Sequence, residues 1–298
     1  MLESADPKFS TATTFNRPAA CLGVRADSAT WSSKWFRFAN YPGRTDASKR
    51  GHISVSFDGF QALNKLSLSI DVGELRCVIG PNGAGKTTLF DLICGYTARD
   101  RGRVVLDGSD VAGQPPYRIA RAGLGRSFQD AALFGTLTVE ESIAVAFDRW
   151  VAVRDPLNAM LRMPAAVLSE DHVARRVDEL IEVFDLGDVR RRFVHELSTG
   201  TRRIVDLACV VAHSPSVLLL DEPSSGIAQR ETEALAPLIL QLRDELGCSI
   251  VVIEHDMPLL AGVADRLVAL EAGAVIAEGP VADVLTDDRV VTSYLGGD

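Results

Sequence analysis

Apolar side chains recur at every second position over two stretches near residue 60. His52-Ile53-Ser54-Val55-Ser56-Phe57 alternates, and Leu63 to Val72 does so again with Leu66, Leu68 and Ile70 on one face. Two strands are expected there, with Asp58-Gly59 as the break between them. Farther along the pattern becomes continuous. Leu75-Arg76-Cys77-Val78-Ile79, Val217-Leu218-Leu219-Leu220 and Ser249-Ile250-Val251-Val252-Ile253 are short apolar runs. Strands covered on both faces read this way, so a parallel sheet is expected. Leu267 to Leu270 and Ala274 to Ile276 close that sheet, and a helix follows before Tyr294. Gly102 to Gly108 reads as a strand and tight turn, Pro115 to Ala122 as a short helix, and Gln129 ends a short strand and opens a loop to Thr136.

From Leu137 to Leu197 the period is helical. Val139 to Phe147 and Val173 to Phe184 place apolar residues three and four apart, with breaks at Asp155-Pro156 and Met163-Pro164. Arginines 175, 176 and 190 to 192 read as a solvated face. Ser198 is a natural N-cap for a helix from Arg202 to Ala212. Residues 1–50 sustain no period, are rich in Ser, Thr, Ala, Asp and Arg, and carry Pro7, Pro18 and Pro42. They read as a mostly unstructured tail. Their aromatic and basic segment, Trp31 to Phe38, reads as part of that tail in preference to a membrane or partner contact. Order is expected over 51–298, with a helical arm over about 131–206.

Composition narrows the class. The 298 residues are 47% hydrophobic, enough for one or two domains with a real core. A net charge of -9 argues against a whole-surface nucleic-acid partner. The five cysteines are odd in number and scattered, which suits free thiols in a reducing compartment. No apolar run reaches the roughly 18–20 residues that cross a bilayer, and no charged-then-apolar leader opens the chain. A cytosolic protein is expected, with any membrane spans supplied by another chain.

The chemistry is concentrated in Gly80-Pro81-Asn82-Gly83-Ala84-Gly85-Lys86-Thr87-Thr88, which fits G-x-x-x-x-G-K-[ST] between a strand and a helix. Glycines let consecutive amides curl around phosphate oxygens, and the helix start adds its positive end. Lys86 would reach the β- and γ-phosphates of a nucleotide such as ATP, and the Thr87 hydroxyl would ligate Mg²⁺. Phe57 is either a platform for the adenine ring or a buried strand side chain; alternation does not choose between them. Asp221 and Glu222 close an apolar strand at the edge where open α/β sheets place ligands. A carboxylate there is costly to leave unpaired, so Asp221 calls for a cation. His255 stands at the matching end of the next apolar run.

Taken together and in this order, these motifs resemble the ATP-binding cassette (ABC) ATPase family over nearly all of residues 52–298. Within it the chain looks most like the ATPase subunits of branched-chain amino-acid importers, through Arg126-Ser127-Phe128-Gln129, Leu133-Phe134, Leu137-Thr138-Val139-Glu140, Ile253-Glu254-His255-Asp256-Met257 and Tyr294-Leu295-Gly296. The resemblance implies an α/β P-loop NTPase core with an N-terminal antiparallel β piece and a helical subdomain. It implies that Asp221 holds Mg²⁺, Glu222 polarises the attacking water, Gln129 senses the γ-phosphate and metal, and His255 contacts the γ-phosphate. Ser198 and Gly200 would close over ATP bound to a second ABC ATPase subunit. Integral membrane permease subunits would be the partners, and the chain would sit peripherally on the inner face of the membrane. A soluble, non-transport ABC ATPase, the weakly hydrolysing half of a heterodimer, and the ATPase of a lipid or drug exporter stay open as alternatives.

The chain departs from the family pattern in two places. Leu197-Ser198-Thr199-Gly200-Thr201 stands where the family has Leu-Ser-Gly-Gly-Gln, so Thr199 sets a β-branch where an amide usually approaches phosphate. Ala228 stands where an Asp is frequent. Neither change touches Lys86, Asp221, Glu222 or His255.

Overall fold

The computed structural model describes residues 36–38, 52–57, 59–128, 133–150, 164–227 and 229–295. The first half holds β1 (Phe36–Phe38), β2 (Ile53–Phe57), β3 (Phe60–Leu66), β4 (Leu68–Ile70), β5 (Leu75–Ile79), α1 (Lys86–Ile93), β6 (Val105–Leu106), β7 (Ser109–Asp110), α2 (Pro116–Arg121), β8 (Leu124–Ser127) and α3 (Val139–Ala146). Then follow α4 (Pro164–Val183), α5 (Thr199–Val211), β9 (Val217–Asp221), α6 (Gln229–Leu246), β10 (Ser249–Ile253), α7 (Met257–Val263), β11 (Arg266–Glu271), β12 (Ala274–Gly279), α8 (Val281–Leu285) and α9 (Asp288–Leu295).

The largest sheet runs β12-β11-β5-β10-β9-β8. Neighbours from β11 through β8 pair in parallel, and β12 pairs antiparallel to β11. β5, β9 and β10 are buried at every position, as their continuous apolar runs require. Successive residues point to opposite faces. Cys77, Ile79, Leu218, Leu220, Ile250 and Val252 enter one apolar cluster, and Val78, Leu219, Val251 and Ile253 enter the other. Cys77, Cys94 and Cys248 are buried free thiols, and Cys209 is a half-buried one. Register sets the site: Ile253 lies beside both Asp221 and Val78, so the chain leaves β5, β9 and β10 at one edge of the sheet.

The expected strand over Leu63 to Val72 is two strands. Lys65 adopts φ 49°, a left-handed twist, and the chain changes sheets after Leu66. β3 pairs with β2, whereas β4 joins a sheet of order β4-β1-β6-β7. Leu66, Leu68 and Ile70 all stay buried, so the burial pattern survives while the pairing partner changes. Within residues 1–50 the described residues are Phe36–Phe38, which form a strand. β1 pairs antiparallel with β4 and β6, with Arg37 opposite Ser69 and Val105. Three residues are too few to display a period. The β6–β7 turn is Asp107-Gly108 with φ 48° and 79°, a two-residue hairpin of left-handed residues that the Asp-Gly pair favours.

In the helical stretch, Thr138 caps α3: its hydroxyl accepts from the Glu141 amide, and the Glu141 carboxylate accepts from the Thr138 amide. Pro164 opens α4, where a missing amide costs nothing. Asp155-Pro156 and Met163 lie outside the described residues. Arg190 keeps a solvated side chain, 39% exposed, and there pairs with Glu140 at the head of α3 and with Asp178 of α4 (2.7 Å).

Candidate nucleotide-binding site

Gly80 to Gly85 form the loop between β5 and α1. Gly83 and Gly85 hold φ of 81° and 99°. A Cβ on Gly85 would stand 2.6 Å from the Ala62 carbonyl oxygen, so packing and backbone both demand glycine there. A Cβ on Gly83 would meet nothing within 4 Å, so that side of the loop is open to a ligand. Gly85 is the N-cap of α1 and supplies no side-chain acceptor, and no acid stands in the helix's first turn. Thr87, exposed, and Thr88, half-buried, lie in that turn; Asn82 is exposed and Pro81 half-buried. An uncapped helix start beside an open glycine loop suits an anion.

The loop is braced from elsewhere. The Gly80 amide donates to the Tyr294 hydroxyl of α9 (2.8 Å), and the Gly273 amide, in the β11–β12 turn, donates to the Ala84 carbonyl (3.0 Å). Lys86 is 7% exposed, and its Nζ donates to the carbonyls of Gly80 (2.6 Å) and Pro81 (3.0 Å). Burial lowers its pKa, while Glu222 and Asp221 favour its charge. The ammonium therefore spans the loop within the field of both strand-end acids.

At the end of β9, Asp221 is buried and pairs with Arg126 of β8 (Nη2, 2.9 Å). Burial raises its carboxyl, and Arg126 pulls it back toward the charged form. Glu222 leaves the strand at φ 48°. Its amide donates to the Ile253 carbonyl (2.9 Å), and its own carbonyl accepts from Arg203 Nη1 of α5 (2.6 Å). His255 Nε2 lies in hydrogen-bond contact with Glu222 Oε1 at 3.0 Å. Lys86, Asp221, Glu222 and His255 thus share one edge of the sheet. Ser198 caps α5, accepting from the Thr201 amide (3.1 Å), as its sequence position implies. Ser198 and buried Gly200 are tied to this group through Arg203 on the same helix. Phe57, at the end of β2, is 48% exposed, which sets aside the buried-strand alternative. Gln129 and Ala228 lie outside the described residues.

Four residues here escape local sequence reading. Arg126 and Arg203 hold the two carboxylate positions from remote elements. Tyr294 braces the loop from α9. Glu254, 2% exposed, accepts from the amides of Ser224 (3.1 Å), His255 (2.8 Å) and Asp256 (3.2 Å), so it locks the loops after β9 and β10 together. A charge directly after an apolar strand is the available signal for Glu254; Arg126 and Tyr294 lie in segments that carry the family resemblance, but nothing local shows what they touch, and Arg203 has no signal.

Mg²⁺ fits these oxygens. Among the described residues no group of three His, Cys, Asp or Glu could cage a metal. Mg²⁺ is suited to such a place, because it keeps waters and phosphate oxygens and needs few protein ligands. Thr87 and Asp221 are the protein oxygens available to it.

A buried acid on α5 gives a pH test. Asp206 accepts from the Ser127 hydroxyl (3.2 Å), and burial pushes its pKa up to about 6, against opposing pulls from Ser127 and Arg203. A carboxyl raised in the folded state is stabilising while protonated, and that contribution is lost as pH rises through about 6. Above that, the buried charge costs about 2–3 kcal/mol. Asp206→Asn keeps an acceptor for Ser127 without the charge. Urea unfolding should show Asp206→Asn gaining on the parent by about 2 kcal/mol between pH 4 and pH 7.5. A difference that does not change with pH would contradict the buried-charge explanation.

Comparison with known proteins agrees with this geometry. The ABC transporter family model matches residues 63–225, more than half the chain. The high-affinity branched-chain amino acid transport ATP-binding protein BraF of Pseudomonas aeruginosa is 33% identical over 244 residues, covering 82% of this chain and 95% of BraF. The lipopolysaccharide export system ATP-binding protein LptB of Haemophilus influenzae is 31% identical, with 82% and 95% covered. A crystal structure of the ADP conformation of an ATP-binding cassette from an ABC transporter matches with a TM-score of 0.71 at 26% identity, covering 89% of this chain and 99% of that one. A glycine loop facing two strand-end acids, on this sheet order and among these relatives, leaves one assignment: the chain belongs to the ABC transporter family and is an ATP-binding, ATP-hydrolysing subunit of such a transporter.

Proposed function

We propose that the chain energises import of branched-chain or other hydrophobic amino acids by hydrolysing ATP at the edge formed by β5, β9 and β10. The single observation that carries the substrate class is the 33% identity with BraF across 95% of that protein. The phosphates lie on the loop Gly80-Pro81-Asn82-Gly83-Ala84-Gly85, with the amides and hydroxyls of Thr87 and Thr88 at the helix start. Lys86 exchanges its two carbonyl acceptors for the β- and γ-phosphates. Phe57, exposed, stacks under the adenine. Thr87, Asp221 and Gln129 hold Mg²⁺, which neutralises phosphate charge when bound. Glu222 accepts a proton from the water that attacks the γ-phosphate, and ADP and phosphate leave. His255, in contact with Glu222, orients that carboxylate and faces the γ-phosphate.

Ser198 and Gly200 close over ATP held by a second ABC ATPase subunit, and the closure is passed to integral membrane permease subunits. No helix among the described residues is long and apolar enough to cross a membrane; in this reading the permease subunits hold the chain peripherally on the inner face. The likeness to LptB favours a second reading, ATP-driven export of a lipid. The two are separated by deleting the gene and measuring uptake of radiolabelled leucine and the lipid content of the outer envelope. Loss of uptake, with an integral membrane protein co-purifying with the tagged chain, is expected. Normal uptake with an altered envelope would select the export reading.

A further inference from the structure

Arg126 belongs to the site, yet the hydrolysis scheme gives it no role. Its guanidinium is almost buried, at 7% exposure, between two acids: Nη1 pairs with Asp91 of α1 at 2.6 Å and Nη2 with Asp221 at 2.9 Å. The carbon at its centre lies 5.7 Å from the Phe90 ring centre and 4.7 Å from that of Phe128. Phe128 in turn meets Tyr96 edge-on at 6.0 Å. A buried carboxylate such as Asp221 demands a positive partner at all times, because an isolated charge there is far more costly than a paired one. Without metal, that partner is Arg126.

We infer that Arg126 is the resident counter-cation of Asp221, a positioning residue that pairs with the metal carboxylate and aims it until Mg²⁺ takes it over. The exchange is feasible because Arg126 has a second place to rest. Released by Asp221, the guanidinium keeps Asp91 on its other arm and the Phe90 and Phe128 rings within reach. It is never left as a bare buried charge. The consequence is thermodynamic: the Arg126–Asp221 bond belongs to the metal-free protein, and loading the site weakens it.

The inference rests on the metal role given to Asp221, and the test separates the two. The purified full chain, Arg126→Gln, Arg126→Lys and Asp221→Asn are melted in three conditions: alone, with a non-hydrolysable ATP analogue and EDTA, and with the analogue and Mg²⁺. In the parent protein, Mg²⁺ should add to the thermal shift given by the analogue, and Asp221→Asn should lose that addition. Arg126→Gln should lower the melting temperature of the metal-free protein by on the order of 10 °C. Mg²⁺ with the analogue should return at least half of that loss, giving a larger metal-dependent shift than in the parent. Arg126→Lys, which keeps a charge but not the two-armed fork, should fall between them. If Arg126→Gln does not fold, Arg126→Lys alone carries the comparison. An equal loss in all three conditions overturns the inference, since Arg126 would then hold Asp221 whether or not metal is bound. No metal-dependent shift in the parent overturns the metal role of Asp221, and the inference with it.

Discussion

Glu222→Gln should lower the rate of ATP hydrolysis by about 10²- to 10⁴-fold while leaving ATP binding intact. The substitution keeps the length and shape of the side chain and removes its capacity to take a proton. The backbone that presents it is held by groups outside the side chain, namely the Ile253 carbonyl and Arg203. The left-handed φ of 48° should therefore survive, and the contact with His255 Nε2 can be kept by the amide oxygen. Steady-state phosphate release and equilibrium binding of a fluorescent ATP analogue, measured on the same sample, distinguish a lost base from a lost site. Turnover within a factor of two of the parent would remove Glu222 from the role of base.

Lys86→Ala should weaken ATP binding by roughly 30- to 1000-fold, equivalent to about 2–4 kcal/mol, the range for removing one aligned charged donor in a dry site. Two effects are mixed in that number. In the proposed site the ammonium is the cation offered to the phosphates, and in the structure it bridges the carbonyls of Gly80 and Pro81. Lys86→Met separates them, because the thioether fills the stem's volume without the charge. If charge dominates, alanine and methionine should be equally poor in isothermal titration with Mg·ATP. Near-normal binding by Lys86→Met would make the lysine a space-filling strut. The parent should also keep its affinity at neutral pH: burial lowers the lysine's pKa, but the adjacent Glu222 and Asp221 work against that shift.

The parts of this site that could be read from the sequence are those that are local. The phosphate loop occupies nine consecutive residues between a strand and a helix. The acids Asp221 and Glu222 follow directly on an apolar run whose continuity implies cover on both faces. Ser198 announces its helix by type alone. What stayed hidden acts across the chain. Tyr294 meets Gly80 from 214 positions away, and Arg126 meets Asp221 from 95. No periodicity encodes such pairs, since an arginine on a strand is equally compatible with solvent. The division at Lys65 was masked for another reason. Leu66, Leu68 and Ile70 bury the same face before and after the chain changes sheets, so alternation alone reports one strand where two exist. β1 was lost to brevity: Phe36–Phe38 gains order from β4 and β6, not from any pattern of its own.

The most direct measurement of the central claim is a crystal structure with Mg²⁺ and a non-hydrolysable ATP analogue. It should show Lys86 Nζ moved from the Gly80 and Pro81 carbonyls to the phosphates, the metal on Thr87 and Asp221, and the terminal phosphate facing Glu222 and His255. Nucleotide bound elsewhere, or bound here with Lys86 still on the two carbonyls and Asp221 remote from the metal, would contradict it.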